Sequence, residues 1–492
     1  GELLAASYLI DMVPAVLFLL LGLPILLLFL VPRCRTTGGT RSAPGPPGLP
    51  FIGNLHQLDN SALHRQLWQL SKKYGPIMSL RLGLVPTLVI SSAGMAKEVF
   101  KTNDLAFSGR PTFLGQQKLS YNGLDMAFSP YNDSWRELRR VFVLYLFSSK
   151  RAQSFRPIRQ EEVSRMVNKI SKLATSSKLA NLSEILATLM SNIICGIAFG
   201  KQYDDDGRET HWFHRLIREI DSPEVIIGYK RISRKWISCT KNSSTSTSIQ
   251  EGQSPHRRTS LISCYNLGRT SYLHLISLWI TLKGCSCLIR VLLSFDATET
   301  ITATVVWAVT ELVRNPPVMK KAQKEGASVE EDDLEKLPYL KAVLKETMRL
   351  HPAGPLLLPR ETTQSCVING YEIQPKTLVF GNAWAIGKDP EALENPEKFL
   401  PERFLGDSTI DFKRHHFELL PFGVGRRGCP GMSMGATIVE LALANLLQAF
   451  DWELPVGIDK EDIAIEGKSG LVVHPKHDLS LVPNAFAKHV AY

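Results

Sequence analysis

The chain has 492 residues, of which 44% are hydrophobic, 8% aromatic and 21% charged. These are ordinary fractions for a globular protein, and the length is ample for a large core and, taken alone, for two or three domains. The 8 Cys show no close pairing beyond Cys285 and Cys287, which excludes a disulfide framework and a CxxC zinc pattern and fits a reducing compartment. A net charge of +10 points toward nucleic acid or anionic lipid, until its location in the chain is considered.

From Met12 to Val31 the chain is apolar and carries no charge, about the length that spans ~30 Å of hydrocarbon. Pro14 and Pro24 are tolerated in such a span. Arg33, Arg35 and Arg41 follow, and this basic excess places the downstream chain in the cytoplasm. A cleaved signal peptide would have a shorter apolar core and a small-residue cleavage site. The expectation is a membrane anchor over residues 1–32 and a hinge over 33–50. Ala43-Pro44-Gly45-Pro46-Pro47-Gly48-Leu49-Pro50 cannot be helical and reads as a stiff, extended spacer.

Ser61 to Tyr74 has helical periodicity through Leu63, Leu67 and Leu70. Ile77–Leu82 and Thr87–Ile90 read as strands joined by a turn over Gly83-Leu84-Val85-Pro86. Ala96 to Lys101 returns to helix, and Phe107-Ser108-Gly109-Arg110-Pro111 opens a loop running to about Pro130. Trp135 and Arg139 share one face of the next helix. An indole N–H and a guanidinium so placed can both donate to a carboxylate; taken alone, they read as a surface helix with a packed Trp. Arg151 to Ile220 is mostly amphipathic helix, including Leu182–Phe199, and carries no chemistry of its own.

Ser222 to Ser294 differs. Ten Lys or Arg stand against Glu224 and Glu251, with no sustained helical or alternating period. Without this stretch the chain is close to neutral, so the basic balance is not read as a nucleic-acid surface. Its composition suggests out-of-frame or retained-intron translation, a hypothesis that a transcript encoding the stretch in frame would defeat.

Asp296-Ala297-Thr298-Glu299-Thr300-Ile301 leads into a buried-looking helix through Trp307. Glu-Thr on a helix has no meaning by itself. Leu337 to Leu350 is a helix ending at His351-Pro352, with Glu346 and Arg349 at i, i+3, alone an ordinary ion pair of little worth. Pro355-Leu356-Leu357-Leu358-Pro359-Arg360 reads as an apolar strand capped by Arg, and Pro401-Glu402-Arg403-Phe404 follows.

Pro421 to Gly431 is the stretch around which the rest is organised. Cys429 sits in a glycine-rich loop just before the apolar helical run Met432 to Phe450. Pro430 suits a first helical position, and N–H groups at a helix start favour a thiolate. Such a sulfur is a metal ligand or a nucleophile, and no His in the loop could act as its base. The adjacent Arg426 and Arg427 suit an anionic group. A thiolate beside carboxylate-binding arginines is what haem, with its iron and two propionates, requires.

Phe422-Gly423-Val424-Gly425-Arg426-Arg427-Gly428-Cys429-Pro430-Gly431 resembles the haem-binding loop of the cytochrome P450 family, FGxGRRxCPG, at every fixed position. The resemblance covers roughly Pro44 to Asp221 and Ala297 to Pro483. It is to plant microsomal members of the specialised-metabolism clan, and Phe107 to Arg140 most resembles members that oxidise aldoximes. It implies a mainly α fold with a small β-rich lobe over residues 51–492, within which 222–294 is atypical. It implies haem b (iron protoporphyrin IX) with Cys429 as axial iron ligand. Trp135, Arg139, Arg360, Phe422 and Arg427 would bind the cofactor, with Trp135, Arg139 and Arg360 on its propionates. Glu346, Arg349 and Arg403 would form a structural charge network behind the loop.

Thr300 and Glu299 would deliver protons from a helix locally opened by the Thr hydroxyl. The match departs from the family at Asp296 for a small residue, Ala297 for Gly, Ile301 for a second hydroxyl, and Arg290 where apolar residues are expected. The chain is also several residues short between Lys324 and Val329, and Gly470–Val472 with Leu479–Pro483 resembles a final hairpin. The implied function is insertion of one atom of dioxygen into a small lipophilic substrate. Electrons would come from NADPH through NADPH–cytochrome P450 reductase, at the endoplasmic reticulum membrane with the catalytic domain facing the cytoplasm and no nucleic-acid partner. Two alternatives stand beside it. One is a haem-thiolate isomerase or dehydratase acting on peroxides; the other is a haem-binding but inactive product of a faulty gene model.

Overall fold

The computed structural model describes residues 41–113, 125–199, 297–325, 330–406, 410–412, 416–463, 465–468 and 470–486. Met12–Val31, the basic stretch 222–294 and Asp296 lie outside the described residues. The architecture is helical with a small β lobe, whose sheet joins two strands from the start of the described chain to two from residues 360–381.

Helix α1 (Leu63–Tyr74) buries Leu67 and stops at Gly75, whose φ of 102° suits a residue without a Cβ. Strands β1 (Ile77–Leu82) and β2 (Val85–Ile90) pair antiparallel from Ile77↔Ile90 to Leu82↔Val85. The turn is therefore shorter than its four candidate residues, and Pro86 lies within β2. It fits there because the parallel neighbour β7 (Leu378–Gly381) pairs only with Thr87–Ile90, so no partner on that side needs its missing N–H. Strand β4 (Arg360–Glu361) closes the sheet on the far side of β7.

Pro355 to Pro359 is not the apolar strand its composition suggested. Leu357 N donates to Gly354 O at 3.0 Å and Leu357 has φ +54°, so the segment turns instead. Two prolines in five residues leave too few N–H groups for a ladder. Gly470–Val472 forms no strand either. Strand β9 (Ser480–Ala485) is instead the middle of a three-stranded sheet, between β3 (Ala180–Asn181) and β8 (Phe450–Glu453).

Five helices build the main core: Arg156–Thr175, Leu182–Phe199, 297–314, Pro338–Leu350 and Met432–Ala449. Ile170, Leu186, Val305, Val343 and Leu443, one from each, are all fully buried in one cluster. Burial of a side chain of this size stabilises by about 1.5–3 kcal/mol. Met432–Ala449 is the one helix among the described residues long and apolar enough to cross a membrane, and most of it is buried in this core. Its first residue is Met432, so Pro430 precedes the helix rather than opening it.

Two contacts fix the core to the site. Trp307 of helix 297–314 stacks on His351 at 4.2 Å with rings 7° apart, and its Nε1 donates to Val473 O at 2.9 Å. A second cluster joins Phe100, Phe107, Ile90 and Val379 of the β lobe to Val424 in the Cys loop.

Candidate active site

The Cys loop is closed by its own backbone. Cys429 N donates to Phe422 O at 2.8 Å and Gly428 N to Gly425 O at 3.0 Å. Gly425 has φ +69°, and a Cβ there would stand 2.6 Å from Phe100 O and 2.5 Å from Asp104 Oδ1. No other residue fits that approach. The loop holds Cys429 exposed on the wall of a cavity of about 590 Å³. Ala297, Thr300 and Ile301 of helix 297–314 line the same cavity, as do Phe422 and Val439.

Along one side the cavity is lined by Trp135 and the guanidinium groups of Arg110, Arg139, Arg360 and Arg427. Trp135 and Arg139 come from helix Asp133–Val141, whose start is capped by the Asn132 side chain. Arg360 opens β4, and Arg427 closes a single 3-10 turn. Arg427 donates from Nε to Ser108 O at 2.8 Å and from Nη2 to Ser129 O at 2.7 Å, with its guanidinium 4.2 Å over the Trp135 ring. Arg360 donates from Nη2 to Val424 O at 2.5 Å and lies 4.4 Å over Phe100. The Nη1 atoms of both Arg360 and Arg427 are buried without a hydrogen-bond partner, that of Arg360 in a long ion pair at 3.7 Å from Asp104 Oδ1. Burial pushes both groups down to about 10. Two desolvated cations with donors left over constitute a site for an anion.

The other two predicted donors are engaged differently. Trp135 has one N–H, and it goes to Met126 O at 2.9 Å. Arg139 Nη1 donates to Gly428 O at 2.9 Å, the carbonyl next to Cys429. Arg426 faces outward and pairs with Asp104 at 3.0 Å. Arg110 was not singled out from the sequence. It is buried, lines the same cavity, and donates from Nε to Ala127 O at 2.8 Å and from Nη1 to Leu358 O at 2.7 Å. Burial depresses its pKa strongly. Its only sequence signal was its place in the Phe107–Pro111 loop, since its acceptors lie far along the chain.

Thr300 lines the cavity, with Oγ1 3.4 Å from Ala297 O. Glu299 does not line it. Its carboxylate lies 2.8 Å from His474 Nε2. Ala297, Thr300, Ile301 and Thr304, at i, i+3, i+4 and i+7, form the face that this helix gives the cavity, and Glu299 lies off that face. Helix 297–314 is unbroken α over its described length, without the local opening that was expected.

Glu346 and Arg349 are both fully buried and pair through two bonds of 2.7 Å. Glu346 Oε1 also accepts from Arg403 Nε at 3.1 Å and Leu400 N at 2.8 Å. Arg349 Nη1 donates to Gly387 O and Pro396 O. Another face of the same helix, through Lys341, Leu344, Lys345 and Met348, lines the cavity. The network thus fixes the pose of one cavity wall.

The donor set fits haem. A sulfur stands in the same cavity as two buried guanidiniums whose orphaned N–H groups suit carboxylates. Comparison with known proteins agrees. The family model Cytochrome P450 matches residues 43–231 and 290–482. The chain is 44% identical to 6,7,8-trihydroxycoumarin synthase of Pastinaca sativa, over 96% of this chain and 99% of that one. It is 43% identical to 5-OH-xanthotoxin synthase of the same plant, with equal coverage. A zebra fish cytochrome P450 solved with abiraterone superposes with a TM-score of 0.72 at 25% identity, covering 86% of this chain and 99% of that one.

Proposed function

Since the chain belongs to the cytochrome P450 family, with relatives in plant specialised metabolism, we propose that it inserts one oxygen atom from dioxygen into a small lipophilic aromatic substrate. The observation that carries this is Cys429 in one cavity with the orphaned Nη1 atoms of Arg360 and Arg427. The relatives are named for trihydroxycoumarin and hydroxyxanthotoxin products rather than for aldoximes, and the substrate class follows them. Bound haem supplies the activation of dioxygen, which the electron-donating thiolate of Cys429 favours.

The chain's own groups do the rest. Arg360 and Arg427 would neutralise the cofactor's carboxylates, and Trp135 backs Arg427 with its ring face. Arg139 ties helix Asp133–Val141 to the carbonyl beside Cys429. Phe422 holds the loop through its carbonyl and packs its ring on Phe412, with centroids 5.1 Å apart. Thr300 Oγ1 is the hydroxyl that holds a proton at the cavity wall. Glu299, turned to His474, is assigned proton exchange with solvent rather than contact with the reacting atoms. Electrons come from NADPH through NADPH–cytochrome P450 reductase. Met12–Val31 anchors the chain in the endoplasmic reticulum; full-length protein extracted by alkaline carbonate would count against it.

Thr300→Ala tests the reaction type. Positioned proton transfer contributes on the order of 10²–10⁴ in rate. In a reconstituted system, product is expected to fall far more than NADPH consumption, with the difference recovered as hydrogen peroxide. An unchanged ratio of product to NADPH would remove Thr300 from proton delivery. Turnover of an organic peroxide without NADPH would favour the isomerase reading, toward which Ala297 and Ile301 lean.

A further inference from the structure

Residues 125–129 form a small loop that neither the sequence nor the site's chemistry accounts for. Asp125 Oδ1 accepts from Phe128 N at 2.5 Å and from Ser129 N at 3.2 Å. A side-chain carboxylate that takes the N–H groups three and four residues on imposes a tight turn on the chain between. That turn points three backbone carbonyls at the cation-lined side of the cavity. Met126 O accepts from Trp135 Nε1, Ala127 O from Arg110 Nε and Ser129 O from Arg427 Nη2. Asp125 itself is 3% exposed and lines the cavity, and its Oδ2 is buried without a hydrogen-bond partner. Arg110 acts on it favourably, against a burial that raises its pKa to about 6.

We propose that Asp125 is the positioning residue of the anion-binding side of this cavity: by capping loop 125–129 it sets Trp135, Arg110 and Arg427 at once. The inference rests on the haem reading above. Each of the three donors has one acceptor in the loop; Arg427 has a second at Ser108 O and Arg110 has others at Leu358 O and Pro359 O, so the loop supplies the one anchor that all three share. With the cap removed, the N–H groups of Phe128 and Ser129 lose their partner and the three carbonyls lose their common direction. Arg427 then keeps Ser108 O on Nε but loses a fixed acceptor for Nη2, and the direction of Nη1 loosens with it. Asn keeps an oxygen where Oδ1 stands, so it preserves the cap while removing the charge. Glu keeps the charge but displaces the oxygen by one methylene.

The test is the rate at which the full-length, haem-loaded protein gives up haem to excess haem-free myoglobin, followed by absorbance. Asp125→Ala is expected to release haem about tenfold faster, the scale of one hydrogen bond to a charged group. Asp125→Asn is expected to stay within about threefold of the parent. If the Ala variant does not fold, Asp125→Glu serves, with acceleration expected. In a double-mutant cycle with Arg427→Ala the two effects should not multiply, because Asp125 acts through Arg427. Independent multiplication would reduce Asp125 to a general stabiliser and overturn the proposal, as would parent-like release from Asp125→Ala and Asp125→Glu. A parent protein that takes up no haem at all would sink the haem reading itself.

Discussion

Cys429→Ser is expected to abolish the red-shifted Soret band of the reduced, carbon-monoxide-bound protein, together with all monooxygenase turnover. The effect should be complete because, among the described residues, no other cysteine lines the cavity. Among the described residues the other cysteines are Cys195 and Cys366, and neither lines the cavity. Cys195 is buried, and burial pushes its thiol up to about 12, the behaviour of an inert structural cysteine. Cys366 lies on the two-stranded ribbon β5–β6 (Cys366–Ile368 with Tyr371–Ile373). Some haem should still be retained, since Arg360 and Arg427 are untouched. Haem content and band position thus separate the two roles. A red-shifted band that survives the substitution would place the iron ligand elsewhere.

What was legible in the sequence was what local spacing determines. The Cys loop is one continuous decapeptide, and its glycines report their own backbone demands, as Gly425 does against Phe100. Glu346 and Arg349 share a helix face at i, i+3, and Arg403 belongs to a recognisable tetrapeptide. Legibility failed where a side chain's partner is remote or its direction depends on packing. Arg110 takes acceptors 17 and 248 residues away, and no local pattern announces them. Asp125 looks like any loop acid until its turn is seen to serve three donors. Glu299 is the sequence neighbour of Thr300, yet it lies off the face that Ala297, Thr300, Ile301 and Thr304 give the cavity and meets His474 instead. The Pro355–Pro359 stretch was apolar enough for a strand, but the turn at Leu357 decided otherwise.

Glu346→Gln is expected to be the most destabilising single change outside the Cys loop. The substitution barely alters volume, so it isolates charge from packing. Glu346 is fully buried, as is Arg349, and no solvent reaches either to compensate a loss. Breaking one side of a buried pair costs about 3–5 kcal/mol, because the remaining charge stays desolvated. A domain is stable by only about 5–15 kcal/mol in total. Arg349 would keep its carbonyl acceptors at Gly387, Pro396 and Lys398, which holds the cost toward the lower end. Arg403 would lose its carboxylate but reaches Glu394 O and Asn395 O at the surface. The damage should therefore centre on Arg349 and pass along its helix to Leu344 and Met348 on the cavity wall. Denaturant titration should show a lowered midpoint, and haem incorporation during expression should fall with it. The control is Asp133→Asn, which removes the exposed partner of Arg136 and should cost about 0–1 kcal/mol. If Glu346→Gln costs no more than that control, the charge network does not hold the wall, and the pose of helix Pro338–Leu350 rests on its apolar packing.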